Sequence, residues 1–118
     1  MMLFYGIKKN KIIQKFNIEL PYNFGENIKM PHRNVIINEN AVIGNNCTFH
    51  GFNVVGNNEK DNEVPIIGNN VDVGVGSIIV GYIYIADGCK IGANSFVNKS
   101  CYKKGSVLIE SSARIKDS

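Results

Sequence analysis

The stretch "IGNNVDVGVGSIIVGYIYIADGCKIGANSFV", residues 67 to 97, decides the fold. Counting by six from its first residue gives Ile67, Val73, Ile79, Ile85, Ile91 and Val97, all apolar. The residue after the anchor is small in most cases, as at Gly68, Gly74, Ala86 and Gly92. Four positions after each anchor comes a second, usually compact, residue: Val71, Ser77, Ile83, Cys89, Ser95 and Cys101. A period of six cannot be the stripe of an amphipathic helix, which recurs every ~3.6 residues. It fits one short strand and one turn per hexad, with the anchor pointing inward. Three hexads close a triangular coil, and coils stack through parallel strand pairing. The pattern predicts an all-β fold, a parallel β-helix. Gly after the anchor suits a turn where a Cβ is costly. The abundant Asn tolerates left-handed backbone.

The count extends backwards through Val55, Phe49, Ile43 and Ile37, and it fails in two places. Residues 56 to 66, "GNNEKDNEVPI", are polar and offer no apolar anchor at position 61. They read as a loop thrown out of one coil, and loops on rigid scaffolds often carry function. The other failure is "PHRNVII", residues 31 to 37, where Ile37 follows the anchor Met30 by seven residues instead of six. A position that interrupts a regular architecture is a candidate functional one, and this corner contains His32. The first seventeen residues show no hexad. The expected organisation is a cap segment over 1–17, a β-helix over 18–109 and a tail over 110–118.

The remaining features narrow the class. The 118 residues suit one domain. The net charge of +3 comes from dispersed Lys and Arg, without the basic, aromatic-interleaved stripe of a nucleic-acid binder. The opening "MMLFYGIKKN" is too short in its apolar run for a signal peptide or a membrane span, so a cytoplasmic location is expected. Cys47, Cys89 and Cys101 form no metal-type spacing, and an odd count is a poor disulfide framework. All three fall at the compact inward position, where a free Cys acts as a small hydrophobe. Only two histidines, His32 and His50, are present, so a three-His zinc site is not expected. His50 follows the anchor Phe49 at a strand end and reads as a partly exposed structural residue, with a contribution to a binding pocket or a subunit interface as the alternative.

Four stretches carry a resemblance: "IELPYN" (18–23), "KMPHRNVIINENAVIGNNCTFHGFNVVG" (29–56), "PIIGNNVDVGVGSIIVG" (65–81) and "IADGCKIGANSFVNK" (85–99). Together they resemble the serine acetyltransferase family of hexapeptide acyltransferases, in particular short members found among polysaccharide genes. The resemblance implies a left-handed β-helix, a homotrimer with active sites between subunits, and transfer of an acetyl group from acetyl-CoA to a hydroxyl. His32 matches the family's catalytic base. Glu19 matches the carboxylate that orients it, with Asn17 the other candidate. Gly56, Val75, Gly76, Ser77 and Ala93 match positions that line the CoA groove. Lys99, Lys103, Lys104 and Arg114 are candidates to meet its phosphates. Pro31 stands before His32, and Arg33 and Asn34 stand where the family commonly has two glycines.

The chemistry agrees with the residue types. A hydroxyl becomes a good nucleophile when a base removes its proton, and an imidazole suits this at neutral pH. A carboxylate on the other ring nitrogen fixes the tautomer. Backbone N–H groups of the Gly-rich turns are expected to stabilise the thioester oxyanion. The departures around His32 point to a sugar or glycan precursor as acceptor in preference to free serine. Genuine serine acetylation and a non-catalytic scaffold or regulatory subunit are the alternatives.

Overall fold

A computed structural model describes residues 2–4, 11–58 and 63–109. Two short strands come first, β1 (Met2–Phe4) and β2 (Lys11–Ile13), followed by a 3-10 turn at Gln14–Phe16. The coils then wind as the hexads predict. The first is β3 (Ile18–Leu20), β4 (Asn23–Phe24) and β5 (Ile28–Met30). The second is β6 (Val35–Ile37), β7 (Val42–Ile43) and β8 (Thr48–Phe49). The third is β9 (Asn53–Gly56), β10 (Ile66–Ile67) and β11 (Asp72–Val73). The fourth is β12 (Ile78–Val80), β13 (Tyr84–Ile85) and β14 (Lys90–Ile91). β15 (Phe96–Val97) and β16 (Val107–Leu108) belong to the fifth.

Each of the first four coils gives one strand to each of three sheets, and successive coils pair in parallel. Among the described residues only the leading strands run the other way: β1 pairs antiparallel with β5 and β2 with β3. Every anchor read from the sequence, from Ile37 to Val97, is buried. So are the compact partners Ala41, Cys47, Val71, Ser77, Ile83, Cys89 and Ser95. Removing a side chain such as Ile79 or Phe49 from water contributes roughly 1.5–3 kcal/mol, and stacking makes that column continuous. Cys101 departs from the expectation. It is half-exposed at the last coil, where its bridge to Ile85 is its only strand-type pairing, and its sulfur lies 3.8 Å from that of Cys89.

The corners explain the asparagines. Asn17, Asn27, Asn34, Asn46, Asn70 and Asn94 all take positive φ, between 53° and 67°. This is left-handed backbone, which a short polar side chain tolerates better than most. Side chains also bond from coil to coil. The Glu26 N–H donates to Asn45 Oδ1, the Asn45 N–H to Asn69 Oδ1, and the Asn69 N–H to Asp87 Oδ1, at 2.8, 2.8 and 2.7 Å.

The three outer faces differ. Ile36, Val54, Ile78 and Phe96 are paired in register along one, and Val42, Ile66 and Tyr84 along another. The third presents Lys29, Thr48, Asp72 and Lys90. The loop after β9 leaves from the corner between the first two faces; its residues 59–62, including the position expected to lack an anchor, lie outside the described residues, as does the tail 110–118.

Candidate active site

The corner that joins the polar face to the Ile36–Phe96 face recurs once per coil. Its successive layers are Pro31 to Asn34, His50 to Phe52, Gly74 to Gly76, and Gly92 to Asn94. Backbone bonds stack them: the Phe52 N–H donates to Arg33 O, the Gly76 N–H to Gly51 O, and the Asn94 N–H to Val75 O, at 3.1, 2.9 and 2.8 Å. The extra residue inferred at His32 is present. Met30 and Phe49 occupy equivalent strand ends, and Val35 pairs with Asn53, so the first layer holds one residue more than the second. In this longer layer His32 and Arg33 are both exposed.

Gly51 lets the two histidine layers approach. Its φ is +126°, and a Cβ there would meet the His32 Cβ at 2.7 Å and the Arg33 carbonyl oxygen at 3.2 Å. No larger residue satisfies both the backbone and the space. The turn is braced from inside by Asn53, which is fully buried. Its Oδ1 accepts from the Gly51 N–H at 2.9 Å, and its amide donates to Gly74 O and Ser77 O at 2.9 and 3.1 Å. Asn53 stands at the compact inward position of its hexad, four after Phe49, and sequence reading passed it over. Phe52 completes the turn in left-handed backbone, φ 53°, with its ring largely in solvent. An aromatic residue held there carries roughly 1–3 kcal/mol of strain.

His50 forms a close side-chain pair with Asp72. Its Nε2 lies 2.7 Å from Asp72 Oδ1, with both side chains about 40% exposed. The pair forms because β8 and β11 align Thr48 with Asp72, and the His50 N–H donates to Val73 O at 3.0 Å. Asp72 was not singled out from the sequence, and His50 was read chiefly as structural, with a pocket or interface role as the alternative. The signal available was the register: counting the 56–66 loop as an insertion puts Asp72 one coil along from Thr48.

His32, His50 and Asp72 line one groove of about 700 Å3. Gly74, Val75, Lys90, Ile91, Gly92, Ala93, Val107 and Ile109 supply the rest of its wall. Of the residues expected to line a CoA groove, Val75 and Ala93 are there. Gly56, Gly76 and Ser77 are not on this wall. Ser77 is buried, its hydroxyl donating to Gly92 O at 2.6 Å and accepting from the Ser95 N–H at 3.1 Å, so it faces the core. Glu19 points outward from β3 between buried Ile18 and Leu20. No hydrogen bond or ion pair joins Glu19 to His32 among the described residues. The other candidate, Asn17, donates to Asn34 Oδ1 at 2.9 Å, tying the 15–17 turn to the His32 corner.

The expected oxyanion donors also shift. The N–H groups of Gly74, Gly76 and Gly92 are all committed to carbonyls of neighbouring coils. Those of Val75 and Ala93 donate to no protein acceptor among the described residues. Lys99, Lys103 and Lys104 are exposed near the last coil, and Arg114 lies outside the described residues. Cys47 is closed off from chemistry, burial pushing its thiol up to about 11. Among the described residues no group of three or more His, Cys, Asp or Glu side chains is placed to hold a metal ion.

No protein-family profile matches the chain. The serine acetyltransferase of Buchnera aphidicola subsp. Schizaphis graminum is 32% identical over 98 residues, 78% of this chain and 38% of that protein. Soybean serine acetyltransferase, solved in complex with serine, superposes with a TM-score of 0.70 at 32% identity, over 78% of this chain and 39% of its own. Serine acetyltransferase isoform 3 of Entamoeba histolytica, solved with cysteine, gives a TM-score of 0.71 at 27% identity, over 81% and 35%. The chain thus spans well under half the length of the relatives it matches. The shared coils are those of a left-handed parallel β-helix. By sequence and by fold together, the chain resembles the serine acetyltransferases and shares the hexapeptide-repeat β-helix of their coils.

Proposed function

We propose that the chain is an acetyl-CoA-dependent O-acetyltransferase that acts on a hydroxyl of a small molecule. The observation that carries this reading is the groove in which His32, His50 and Asp72 adjoin small and apolar residues. Its wall suits an acetylated pantetheine arm. Val75, Val107 and Ile109 offer apolar contact, and Gly74, Gly92 and Ala93 leave room. The uncommitted N–H groups of Val75 and Ala93 suit the arm's carbonyls, or the oxyanion that forms during transfer.

In this reading His32 is the base. Its ring takes the proton of the acceptor hydroxyl, and the oxygen attacks the thioester carbonyl. The tetrahedral intermediate collapses with loss of the CoA thiolate, which receives the proton from the imidazolium. The products are an O-acetyl ester and free CoA. Glu19 is assigned the supporting carboxylate, two residues beyond the Asn17 that bonds the His32 corner. Gly56, Gly76 and Ser77 are assigned backbone and spacing roles around the cofactor path. Lys99, Lys103 and Lys104 are assigned to its phosphates.

Assembly as a homotrimer is part of the proposal. Apolar columns on two faces of the solenoid, with Val54, Phe96, Val42 and Ile66 all more than a third exposed, favour burial against further copies. So is a cytoplasmic location, where the three free thiols stay reduced. Among the described residues no helix is long and apolar enough to cross a membrane. Residues 1–17 are assigned to the cap and 110–118 to a tail.

Two acceptors are in play. The substitutions beside His32 favour a sugar or glycan precursor, whereas the relatives are serine acetyltransferases and the soybean protein holds serine. The comparisons lend the sugar no support. Acetyl-CoA consumption by the wild-type protein and by His32→Ala, against serine and a panel of sugars and nucleotide sugars, decides between them. Turnover of one acceptor that is lost in the variant supports both the activity and the base. CoA binding without transfer to any hydroxyl would instead mark a scaffold.

A further inference from the structure

The acyl-transfer reading gives His32 the reacting hydroxyl and leaves His50 without a task. Yet His50 is the better-held imidazole of the two. Asp72 fixes one ring nitrogen at 2.7 Å, the backbone bond to Val73 fixes its strand end, and Asn53 braces the turn that follows. His32 has no such partner among the described residues.

A carboxylate oxygen can only accept a hydrogen bond. Nε2 therefore carries the proton that Asp72 receives, and in the neutral ring Nδ1 presents a lone pair. Nδ1 has no protein partner among the described residues. The remaining ionisable groups of the groove are His32 and Lys90. Lys90 lies beside Asp72 in register but forms no ion pair with it. A fixed lone pair in a ligand groove selects for a donor. The reacting end of acetyl-CoA offers a carbonyl and a thioester sulfur, neither of which donates. The donor then belongs to the acceptor molecule.

We propose that His50, oriented by Asp72, positions the acceptor by accepting a hydrogen bond from a second donor group next to the reacting hydroxyl. This rests on the acyl-transfer reading and narrows its substrate class. The acceptor is a vicinal diol or a 2-amino alcohol, a hydroxyl or an ammonium standing one carbon from the hydroxyl that is acetylated. A sugar meets this with a neighbouring hydroxyl and serine with its amine, while a simple mono-alcohol does not. His50 is a positioning residue in this scheme, and His32 remains the base.

The test uses the full chain as wild type, His50→Asn, Asp72→Asn and His32→Ala. The acceptors are serine, a hexose and 1-propanol. In His50→Asn and Asp72→Asn the KM for serine or the hexose should rise about tenfold or more, the loss of one good hydrogen bond. The KM for acetyl-CoA and kcat should stay within a few-fold, and any turnover of 1-propanol should be unchanged. His32→Ala should lose kcat instead. Imidazole 15N NMR of the wild type should show His50 with its proton on Nε2, and Asp72→Asn should weaken that preference.

Four results overturn the proposal. Unchanged acceptor KM in an active His50→Asn protein would reduce His50 to a structural residue. Loss of kcat in His50→Asn as deep as in His32→Ala, at constant KM, would make His50 the base. A proton on Nδ1 in the wild-type spectrum would remove the lone pair, whatever the activity. A wild type that acetylates nothing overturns the acyl-transfer reading and this one together, and so separates from the first two outcomes, which need an active enzyme.

Discussion

The corners at 31–34 and 50–52 are stacked neighbours built on opposite plans. The first has one residue more than its siblings, projects its histidine into solvent and fixes it by little beyond the backbone. The second keeps the standard length and pulls tight around Gly51, with Asp72 bonding its histidine and Asn53 bracing its turn from inside. An inserted residue creates reach, and a braced turn creates position. A base that must meet a moving proton suits the first plan, and a fixed recognition point suits the second.

Several changes would break or sharpen that contrast. Gly51→Ala should have the largest effect. It forces a side chain into backbone at φ +126° and into the His32 Cβ. Backbone strain and overpacking together should cost about 3–5 kcal/mol, read from urea unfolding. A variant as stable as wild type would mean that the two corners are not tightly stacked. Deleting Arg33 gives the first corner the length of the others. The solenoid should survive with a native-like circular dichroism spectrum, and acetyl transfer should fall at least ~100-fold because His32 is drawn inward. Retained activity would show that the extra residue is incidental.

Asn53→Ala comes next. It strips the partner from the Gly51 N–H and a donor from the carbonyls of Gly74 and Ser77, of which Gly74 O keeps the Ser77 N–H, at roughly 2–3 kcal/mol in total. Acceptor KM should rise along with the instability if the brace positions His50, and a purely thermal effect would argue against that link. Phe52→Asn goes the other way. Asparagine tolerates the left-handed backbone that Asn34 and Asn94 already adopt in the same column, so stability should rise by about 1 kcal/mol. The thiols provide a control remote from both corners. A hydrogen bond involving Ser106 lowers the Cys101 thiol, while burial raises that of Cys47 to about 11. At pH 8 Cys101 therefore holds more thiolate and should alkylate well before Cys47, with peptide mapping as the readout. Equal rates would mean that the coils open readily.

Much of the fold was legible because a six-residue period is unforgiving. Each anchor from Ile37 to Val97 must face inward or the coil cannot close, and each one does. The surplus residue at His32 was legible for the same reason, as a missed beat between Met30 and Ile37. The His50–Asp72 pair was not. Its members stand 22 positions apart, and their meeting depends on how many residues the 56–66 loop withholds from the coil. Asn53 was hidden by its type, since a polar residue at an inward position reads as an irregularity until its three bonds are seen. Ser77 is the converse case: the resemblance puts it beside the cofactor groove, and its hydroxyl is engaged in the core.

The ladder from Glu26 through Asn45 and Asn69 to Asp87 has a consequence for how such a protein can change. Each rung is satisfied only by a side chain exactly one turn further on, so growth within a coil would put every later rung out of step. Novelty is thereby quantised. The chain can accept a whole extra turn, or it can accept a few residues at a corner, and little in between. The bulge that carries His32 and the long excursion after β9 are both of the second kind. A designer seeking new specificity on this scaffold has the same two moves, and the corner beside His50, still at its minimal length, is one that remains unplayed.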